Sequence, residues 1–365
     1  MKFLKELKQL VEINSYTMNK EGVDKNGEIY ITKMIPLGFE YEIFKRKHIG
    51  NHILFKSRKK TGKKLLLLGH MDTVFPEGSF EGFKEDEEWV YGPGVCDMKG
   101  GNIVAIEALR EHFYKYKKIE NIDFLLVSDE EDGSNDSKFI TAKLSEKYDY
   151  ALVYEAAGED MEVVTGRKGA GTFFIDIKGK PAHAGNNYTL GIDANLEASY
   201  KLQKLIKLSD FNKGTTVNVG KIEGGVGANT ISPYAKLTFE ARYTSTSERD
   251  RILKEIDKIV STSYVKGSKS FLSGGIQKDV MEPTCKQEKF LKDIENYCKI
   301  KLKTEKRGGV SDANIVSSSG TVVLDGMGPF GDGDHTDKER ALKSSFKKRI
   351  ELSTKIFEAI MEKKI

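Results

Sequence analysis

The chain has 365 residues, 38% of them hydrophobic, and its 59 basic and 55 acidic side chains leave a net charge of only +4. This length predicts two domains, and the composition is that of a globular protein rather than a disordered or fibrous one. The lysines are scattered along the chain, so the charge pattern does not indicate a nucleic-acid partner.

Localisation signals are few. The three cysteines, Cys96, Cys285 and Cys298, lack the spacing of a disulfide framework, which favours a reducing compartment. The N-terminal segment 1–11 is amphipathic and interrupted by charges, which is not the pattern of a signal peptide. No apolar run reaches the length of a membrane span. We therefore expect a cytoplasmic protein that does not contact a membrane.

The first part of the chain alternates between helical and strand periodicity. Apolar residues at helical spacing predict helices at 3–11 and 103–113, and the short apolar runs 65–68, 124–127 and 151–154 predict strands buried on both faces. This alternation indicates an α/β fold, with a mostly parallel sheet flanked by helices. The basic run 56–64 is interpreted as a solvated hairpin turn, with an electrostatic binding patch as the alternative.

The middle of the chain follows a different pattern. Strands are predicted at 171–179, 216–222, 235–243 and 268–272, and helices at 194–208 and 252–260. This βαββαβ order suggests an α+β domain of the split-βαβ, ferredoxin-like type. We therefore predict a catalytic domain formed by 1–167 and 281–365, interrupted by an inserted domain at 168–280. A long amphipathic helix is expected near the C-terminus, at 346–361.

Histidine and carboxylate side chains stand in five segments of the chain, each at a point where a buried strand should end. They are His70, Asp72, Asp97, Glu130, Glu131, Glu155 and His335. Sites in open α/β sheets form beyond the carboxyl ends of the strands, and these residue types are the ligands of hydrolytic zinc sites. The pattern predicts a metal centre at one edge of the sheet.

The spacing also suggests individual roles. His70 and Asp72 are two residues apart, so an extended backbone points both to one side, and Asp72 can orient the imidazole. Asp97 lies in a glycine-rich turn, where its two oxygens can bridge two metals. One of Glu130 and Glu131 would be a ligand and the other a base, an assignment that the spacing leaves open. Two metals about 3.5–4 Å apart would share a water and lower its pKa.

Each motif also has a structural interpretation. An Asp-Glu-Glu triplet is commonly a solvated charge run, Cys96 is more readily a packing residue than a thiolate ligand, and the loop around His335 lacks EF-hand spacing. The glycine clusters do not fit a nucleotide-binding loop, so that function is the weakest hypothesis. Taken together, the positions favour the metal centre.

The ordered motifs resemble those of the M20 metallopeptidases, and within that family the glutamate carboxypeptidases of the carboxypeptidase G2 type. The matching strings are H-M-D-T-V, Y-G-P-G-V-C-D-M-K-G-G, S-D-E-E, G-K-P-A-H-A-G, G-A-N-T-I-S-P, F-E-A-R-Y, R-G-G-V-S-D and G-D-H-T-D-K-E. They cover nearly the whole chain.

The resemblance implies a two-zinc site, with Co²⁺ or Mn²⁺ as substitutes. One zinc would be held by His70, Asp97 and Glu155, and the other by Asp97, Glu131 and His335. Glu130 would be the general base and Asp72 the support of His70. The peptide bond after Asp97 is expected to be cis.

The resemblance also assigns roles in the inserted domain. His183 would reach the site of a partner subunit and stabilise the oxyanion, which implies a homodimer built through the inserted domain. Arg242 would bind the substrate carboxylate, and Asn229 would also bind the substrate. The structural alternatives are a turn histidine, an arginine on a strand surface and a turn asparagine.

The expected activity is hydrolysis of the amide bond to a C-terminal amino acid, of the glutamate carboxypeptidase type. A metal-bridging hydroxide would attack with Glu130 as base, on a small molecule or short peptide with a free carboxylate. Glu155, where the family's di- and tripeptidases tend to have Asp, leaves an N-acyl amino-acid deacylase of the acetylornithine or succinyl-diaminopimelate type as the alternative. A metal-binding protein without catalysis is disfavoured because no ligand and no base is missing.

Overall fold

The computed structural model describes residues 2–365 and divides into two compact units. The first unit runs to Gly166 and resumes as Pro283–Arg307 and Ser311–Ile365. The second comprises Arg167–Glu282 and Gly308–Val310, so it interrupts the first close to the positions 168 and 280 expected from the sequence. No helix within 2–365 is both long enough and apolar enough to cross a lipid bilayer.

The helices are α1 (Lys2–Val11), α2 (Lys20–Met34), α3 (Lys99–Tyr116), α4 (Ser137–Ser145), α5 (Ala194–Ile206), α6 (Thr246–Ser261), α7 (Cys285–Cys298), α8 (Asp312–Ser318) and α9 (Lys343–Met361). The strands are β1 (Glu40–Phe44), β2 (His52–Lys56), β3 (Leu65–His70), β4 (Lys84–Glu85), β5 (Trp89–Tyr91), β6 (Ile122–Val127), β7 (Tyr150–Val153), β8 (Val163–Arg167), β9 (Gly169–Lys178), β10 (Thr216–Gly224), β11 (Tyr234–Tyr243), β12 (Lys269–Lys278), β13 (Thr304–Arg307), β14 (Val322–Leu324), β15 (Gly331–Asp332) and β16 (Arg340–Leu342).

The central sheet of the first unit has the strand order β1-β2-β6-β3-β7-β14. Strands β6, β3, β7 and β14 are parallel, and β1 and β2 add an antiparallel edge. Strands β3 and β6 are buried along their whole length, as the apolar runs 65–68 and 124–127 within them predict. The predicted α/β class with a mostly parallel sheet is confirmed.

The prediction of a hairpin turn at 56–64 is wrong. Strand β6 lies between β2 and β3, so this exposed basic segment connects two strands that are not neighbours. A run of solvated residues can join two paired strands or two strands that are not neighbours. The local sequence does not distinguish these cases, because strand pairing is decided by long-range contacts.

Helix α3 begins two residues after Asp97 and packs close to the end of β7. A Cβ atom added at Gly101 would lie 1.8 Å from the carbonyl oxygen of Tyr154, so only glycine permits this approach. Tyr154 directly precedes Glu155. The Gly-Gly pair of the sequence therefore brings the segment of Asp97 near that of Glu155.

A small antiparallel sheet, ordered β15-β16-β5-β4, lies in the same unit. The guanidinium of Arg340 stacks 4.0 Å from the ring centre of Trp89 and forms two hydrogen bonds with Asp332. This sheet ties the segment before Asp97 to the segment before His335.

The second unit has a sheet ordered β10-β11-β9-β12, with every neighbouring pair antiparallel. Strand β11 separates β9 from β10, although α5 connects those two strands, which is the split-βαβ arrangement predicted from the sequence. The last strand extends to Lys278, beyond the predicted 268–272. This unit has its own apolar core, with Phe173, Leu237 and Ile256 among its members.

Candidate metal centre

The candidate ligands lie at the ends of the central sheet and around the small sheet of the first unit. His70 is the last residue of β3, and Glu131 and Glu155 follow β6 and β7, so the carboxyl edge of the central sheet supplies three of them. The expectation that all five ligands would follow buried strands of one sheet is wrong for two of them, Asp97 and His335. Asp97 stands before α3 and His335 follows β15 of the small sheet. The short strands of that sheet lack the apolar runs by which the central strands were recognised.

The first cluster consists of His70, Asp97 and Glu155, each of which offers one ligand atom within 4.8 Å of the others. His70 Nε2 lies 3.0 Å from Asp97 Oδ1 and 3.8 Å from Glu155 Oε1. His70 and Glu155 are buried, with relative exposures of 1% and 8%. The cluster therefore gathers one imidazole and two carboxylates away from bulk water.

The second cluster consists of Asp97, Glu131 and His335, within the same 4.8 Å limit. His335 Nε2 lies 3.1 Å from Glu131 Oε2 and 3.4 Å from Asp97 Oδ2. Asp97 thus directs one carboxylate oxygen to each cluster. His335 has a left-handed backbone, with φ of 62°, which is uncommon for a residue with a side chain.

The charges of these groups fit a divalent cation at each cluster. Burial and the nearby Asp97 carboxylate raise the pKa of Glu131 to about 8, and the same two causes raise the pKa of Glu155 well above its usual range. Burial also opposes ionisation of Asp97, but hydrogen bonds from His335 and His70 outweigh it and lower the pKa of that carboxyl. Hydrogen bonds to Asp97 and Glu131 raise the pKa of His335 to about 11. Because metal ligands must be deprotonated, a bound metal ion would replace protons on these groups.

The donor set selects the kind of metal. Imidazole nitrogens combined with carboxylate oxygens suit zinc and neighbouring first-row ions better than calcium or magnesium. The residues present therefore fit the two zinc ions expected from the sequence.

Asp72 connects the histidine ligand to the glutamate loop. Its Oδ1 atom lies 3.4 Å from His70 Nδ1 and accepts the Glu130 backbone N–H at 3.3 Å. Its Oδ2 atom accepts the backbone N–H of Glu131 at 3.2 Å and the Thr17 hydroxyl at 2.7 Å. Asp72 is fully buried. Asp72 therefore orients His70, whose Nδ1 also lies 3.1 Å from the Asp72 carbonyl oxygen, and the Asp72 carboxylate holds the start of the loop that carries Glu130 and Glu131.

Sequence reasoning missed several residues that support the site. The Thr17 hydroxyl donates to Asp72, and the Asn102 side-chain amide donates to the His70 carbonyl at 2.7 Å. Asp129 Oδ2 accepts the backbone N–H groups of Asp136 and Ser137 at the start of α4. Asp129 is recognisable as a residue just before a predicted ligand, whereas Thr17 carries no signal in the sequence.

The peptide bond between Asp97 and Met98 is cis, which confirms the expectation from the sequence. Cys96, next to Asp97, is fully buried and belongs to the apolar core. Its role as a packing residue, rather than a ligand, agrees with its absence from both clusters of the described residues.

The three other predicted site residues, His183, Arg242 and Asn229, lie in the second unit. His183 Nδ1 accepts the backbone N–H groups of Gly185 and Asn186, both at 3.2 Å, so a neutral ring carries its proton on Nε2. Arg242 on β11 forms two hydrogen bonds with Glu240, at 2.6 and 3.2 Å, and donates to the Gly308 carbonyl at 2.9 Å.

Asn229 is exposed and lies between β10 and β11. Its backbone carbonyl accepts a hydrogen bond at 2.9 Å from the N–H of Ala184, the residue that follows His183. The segments of Asn229 and His183 are therefore neighbours within the second unit.

Comparisons with known proteins place these features in context. The model of peptidase family M20/M25/M40 matches residues 66–359. Carboxypeptidase G2 of Pseudomonas sp. is 28% identical over 351 residues, which cover 92% of this chain and 83% of that protein. Succinyl-diaminopimelate desuccinylase of Coxiella burnetii is 24% identical over 358 residues, which cover 90% of this chain and 91% of that protein. The crystal structure of aminopeptidase PepT from Bacillus cereus has a similar fold, with a TM-score of 0.79, 21% identity and 98% coverage of both chains.

Proposed function

The chain belongs to peptidase family M20/M25/M40, and on that premise we propose that it is a two-zinc hydrolase that cleaves the amide bond to a C-terminal amino acid. Its substrate would be a small molecule or short peptide with a free carboxylate, of the kind that a glutamate carboxypeptidase accepts. The likeness to carboxypeptidase G2 over most of both chains supports this choice.

The observation that carries the proposal is the sharing of Asp97 between the two ligand clusters. A carboxylate that directs one oxygen to each of two ligand sets is the arrangement that a pair of metal ions requires. His70 and Glu155 would complete one set, and Glu131 and His335 the other. Bound there, two zinc ions would polarise an amide carbonyl and lower the pKa of a water molecule between them.

Glu130 is the residue we assign as general base. Its backbone N–H is held by Asp72, so its side chain leaves from a fixed point beside the ligand Glu131. The Glu130 carboxylate would accept a proton from the attacking water and pass it to the leaving nitrogen, so that carboxylate and amine products form without a net change in the protein.

His183 would stabilise the negative charge that develops on the carbonyl oxygen. Two backbone N–H groups donate to its Nδ1 atom, which leaves Nε2–H as the donor for an oxyanion. By the family resemblance, the site in one subunit would receive His183 of the partner subunit, and we therefore propose a homodimer joined through the second unit.

Arg242 would bind the substrate carboxylate, because a guanidinium matches the geometry of a carboxylate with two parallel hydrogen bonds. Asn229, whose segment neighbours that of His183, would contribute a further polar contact to the substrate.

An N-acyl amino-acid deacylase is the second candidate. The likeness to succinyl-diaminopimelate desuccinylase extends over 90% of the chain, so the same metal centre would serve an acyl amino acid equally well. In both activities the amine product is an amino acid with a free carboxylate, so the two activities differ in the acyl group on the other side of the cleaved amide.

The test combines metal content with a substrate panel. We expect two zinc ions per chain in the wild type and in Glu130→Gln, with amide hydrolysis lost by at least about 10²-fold only in the variant. Glutamyl peptides and folyl-glutamate are compared with N-acetyl and N-succinyl amino acids. Turnover of only the acylated amino acids would move the assignment to the deacylase, and a wild-type chain that binds no zinc would refute the proposal. Analytical ultracentrifugation tests the dimer separately.

A further inference from the structure

The backbone turn that presents Asp97 closes around the side chain of Glu339. Glu339 Oε1 accepts the backbone N–H of Cys96 at 2.9 Å and that of Asp97 at 3.0 Å, and Oε2 accepts the N–H of Gly94 at 2.9 Å. Nothing in the metal-ligand geometry above uses this residue. Both carboxyl oxygens of a glutamate from a distant part of the chain therefore accept hydrogen bonds from the backbone N–H groups of this turn.

The burial of Glu339 makes these contacts strong. Its relative exposure is 1%, so water does not compete for its oxygens. A buried carboxylate held by several N–H donors fixes the backbone around it, and with it the direction of the Asp97 side chain.

Glu339 is also fixed to the loop that carries His335. Its backbone N–H donates to the Thr336 carbonyl at 3.2 Å, and the Thr336 hydroxyl donates to the Gly333 carbonyl at 2.7 Å. Directly after Glu339, the backbone enters β16 and pairs with β5, which leads to the Asp97 turn. The same short segment thus holds both Glu339 and His335.

We propose that Glu339 is a positioning residue that sets the place of the shared ligand Asp97 relative to His335, and thereby the metal affinity of the second cluster. This inference rests on the proposed function. Two of that cluster's three ligands, Asp97 and His335, are attached to segments that Glu339 joins, although Asp97 and Glu339 are 242 residues apart in sequence.

The variant Glu339→Gln tests the idea with little change in shape. Its amide has one acceptor oxygen, so either the Gly94 N–H or the pair from Cys96 and Asp97 would face an NH₂ group instead. We expect a 10–100-fold loss of affinity for one of the two ions, the usual range for groups that support metal ligands. Titration of metal-free protein with Zn²⁺ and with Co²⁺ measures this loss without reference to activity.

The Co²⁺ visible absorption spectrum separates positioning from stability. A displaced Asp97 changes the ligand geometry around the bound Co²⁺, and we expect a shifted or weakened band for the affected ion. Glu248→Gln is the matched control, because Glu248 is a buried carboxylate of the second unit with several hydrogen bonds of its own. The control should lose stability while keeping both affinities and the wild-type spectrum.

Glu339→Asp covers the case in which Glu339→Gln does not fold, because it keeps the carboxyl group and only shortens the side chain. We expect Glu339→Asp to lower the affinity for that one ion less than Glu339→Gln does. Both variants binding two ions with wild-type affinity and spectrum would overturn the inference and leave the proposed function standing. A wild-type chain that binds no metal would instead refute the proposed function, and the inference with it.

Discussion

The guanidinium of Arg242 has an internal carboxylate partner. Glu240 stands two residues earlier on β11, so both side chains lie on one face of the strand. Their side chains are 42% and 33% exposed for Glu240 and Arg242, which makes this a surface ion pair. In the proposed function, a substrate carboxylate would meet Glu240 as a competitor for the same donors.

Replacing Glu240 with glutamine should therefore favour substrates with a free C-terminal carboxylate. An exposed ion pair contributes at most about 1 kcal/mol, so we expect KM to fall by up to about fivefold with little change in kcat. Steady-state kinetics on a peptide and its C-terminal amide measure this, and the amide should show no change. Glu223→Gln, an exposed glutamate of β10, is the control. A raised KM would mean that Glu240 orients Arg242 instead.

His112 of α3 predicts a pH dependence of stability. It is fully buried, neither ring nitrogen has a hydrogen-bond partner among the described residues, and burial lowers its pKa to about 4. The unfolded chain protonates this histidine below about pH 6.5, whereas the folded chain does so only near pH 4. Stability is therefore complete above pH 6.5 and decreases as the pH falls toward 4.

The variant His112→Phe should lack this part of the acid destabilisation. The shift corresponds to an upper limit of roughly 3 kcal/mol between pH 6.5 and 4. Urea unfolding at pH 7.5 and pH 4.5, with a chelator present to remove metal effects, compares the variant with the wild type. Equal losses of unfolding free energy in the two proteins would contradict the assignment.

At the scale of elements, Lys201 of α5 holds the end of α6. Its ammonium donates to the carbonyls of Ile259, Val260 and Thr262 and lies 3.0 Å from Glu197 Oε1. Both charged side chains are completely buried. Because the last carbonyls of a helix lack partners within it, a buried cation here satisfies α6 and joins it to α5.

Lys201→Met should destabilise the second unit by about 3–5 kcal/mol, because Glu197 would keep a buried charge without its partner. The double variant Glu197→Gln/Lys201→Met should recover part of this loss. Thermal unfolding followed by calorimetry measures both, and metal binding by the first unit should be unchanged. A loss below about 1 kcal/mol in the single variant would show that the pair contributes little.

At the scale of the whole molecule, two separate apolar cores predict two unfolding transitions. Each unit has its own cluster of buried residues, and both ligand clusters lie in the first unit. A ligand stabilises only the folded state that binds it.

Removing metal with a chelator should therefore lower the transition temperature of the first unit alone. At metal concentrations about 100 times Kd the stabilisation is roughly 2.7 kcal/mol, which corresponds to about 5–10 °C for a unit of this size. Differential scanning calorimetry with and without chelator measures the shift. His335→Asn, which lacks one ligand, should show a smaller shift. Equal shifts of both transitions, or of neither, would contradict a metal centre confined to the first unit.

Helix α2 marks a limit of sequence reasoning. No helix was predicted there, since Gly22 and Gly27 lower its intrinsic propensity. In the structure, a Cβ at Gly22 would lie 1.8 Å from the Asn14 carbonyl and one at Gly27 would lie 2.8 Å from the Ile53 side chain. Gly22 is thus required by the close approach of the Asn14 carbonyl, whereas at Gly27 the end of the Ile53 side chain would have to shift.

The sequence by itself determined the fold class, the order of elements in the second unit and the residue types of the candidate metal centre. These features depend on the period of apolar residues and on short motifs, which are local properties of the chain. Only the tertiary structure decided that β6 lies between β2 and β3, that Asp97 faces two ligand clusters, and that Glu339 holds the Asp97 turn. These contacts join residues far apart in the chain. A local sequence pattern does not predict which distant backbone N–H groups a buried carboxylate will bind.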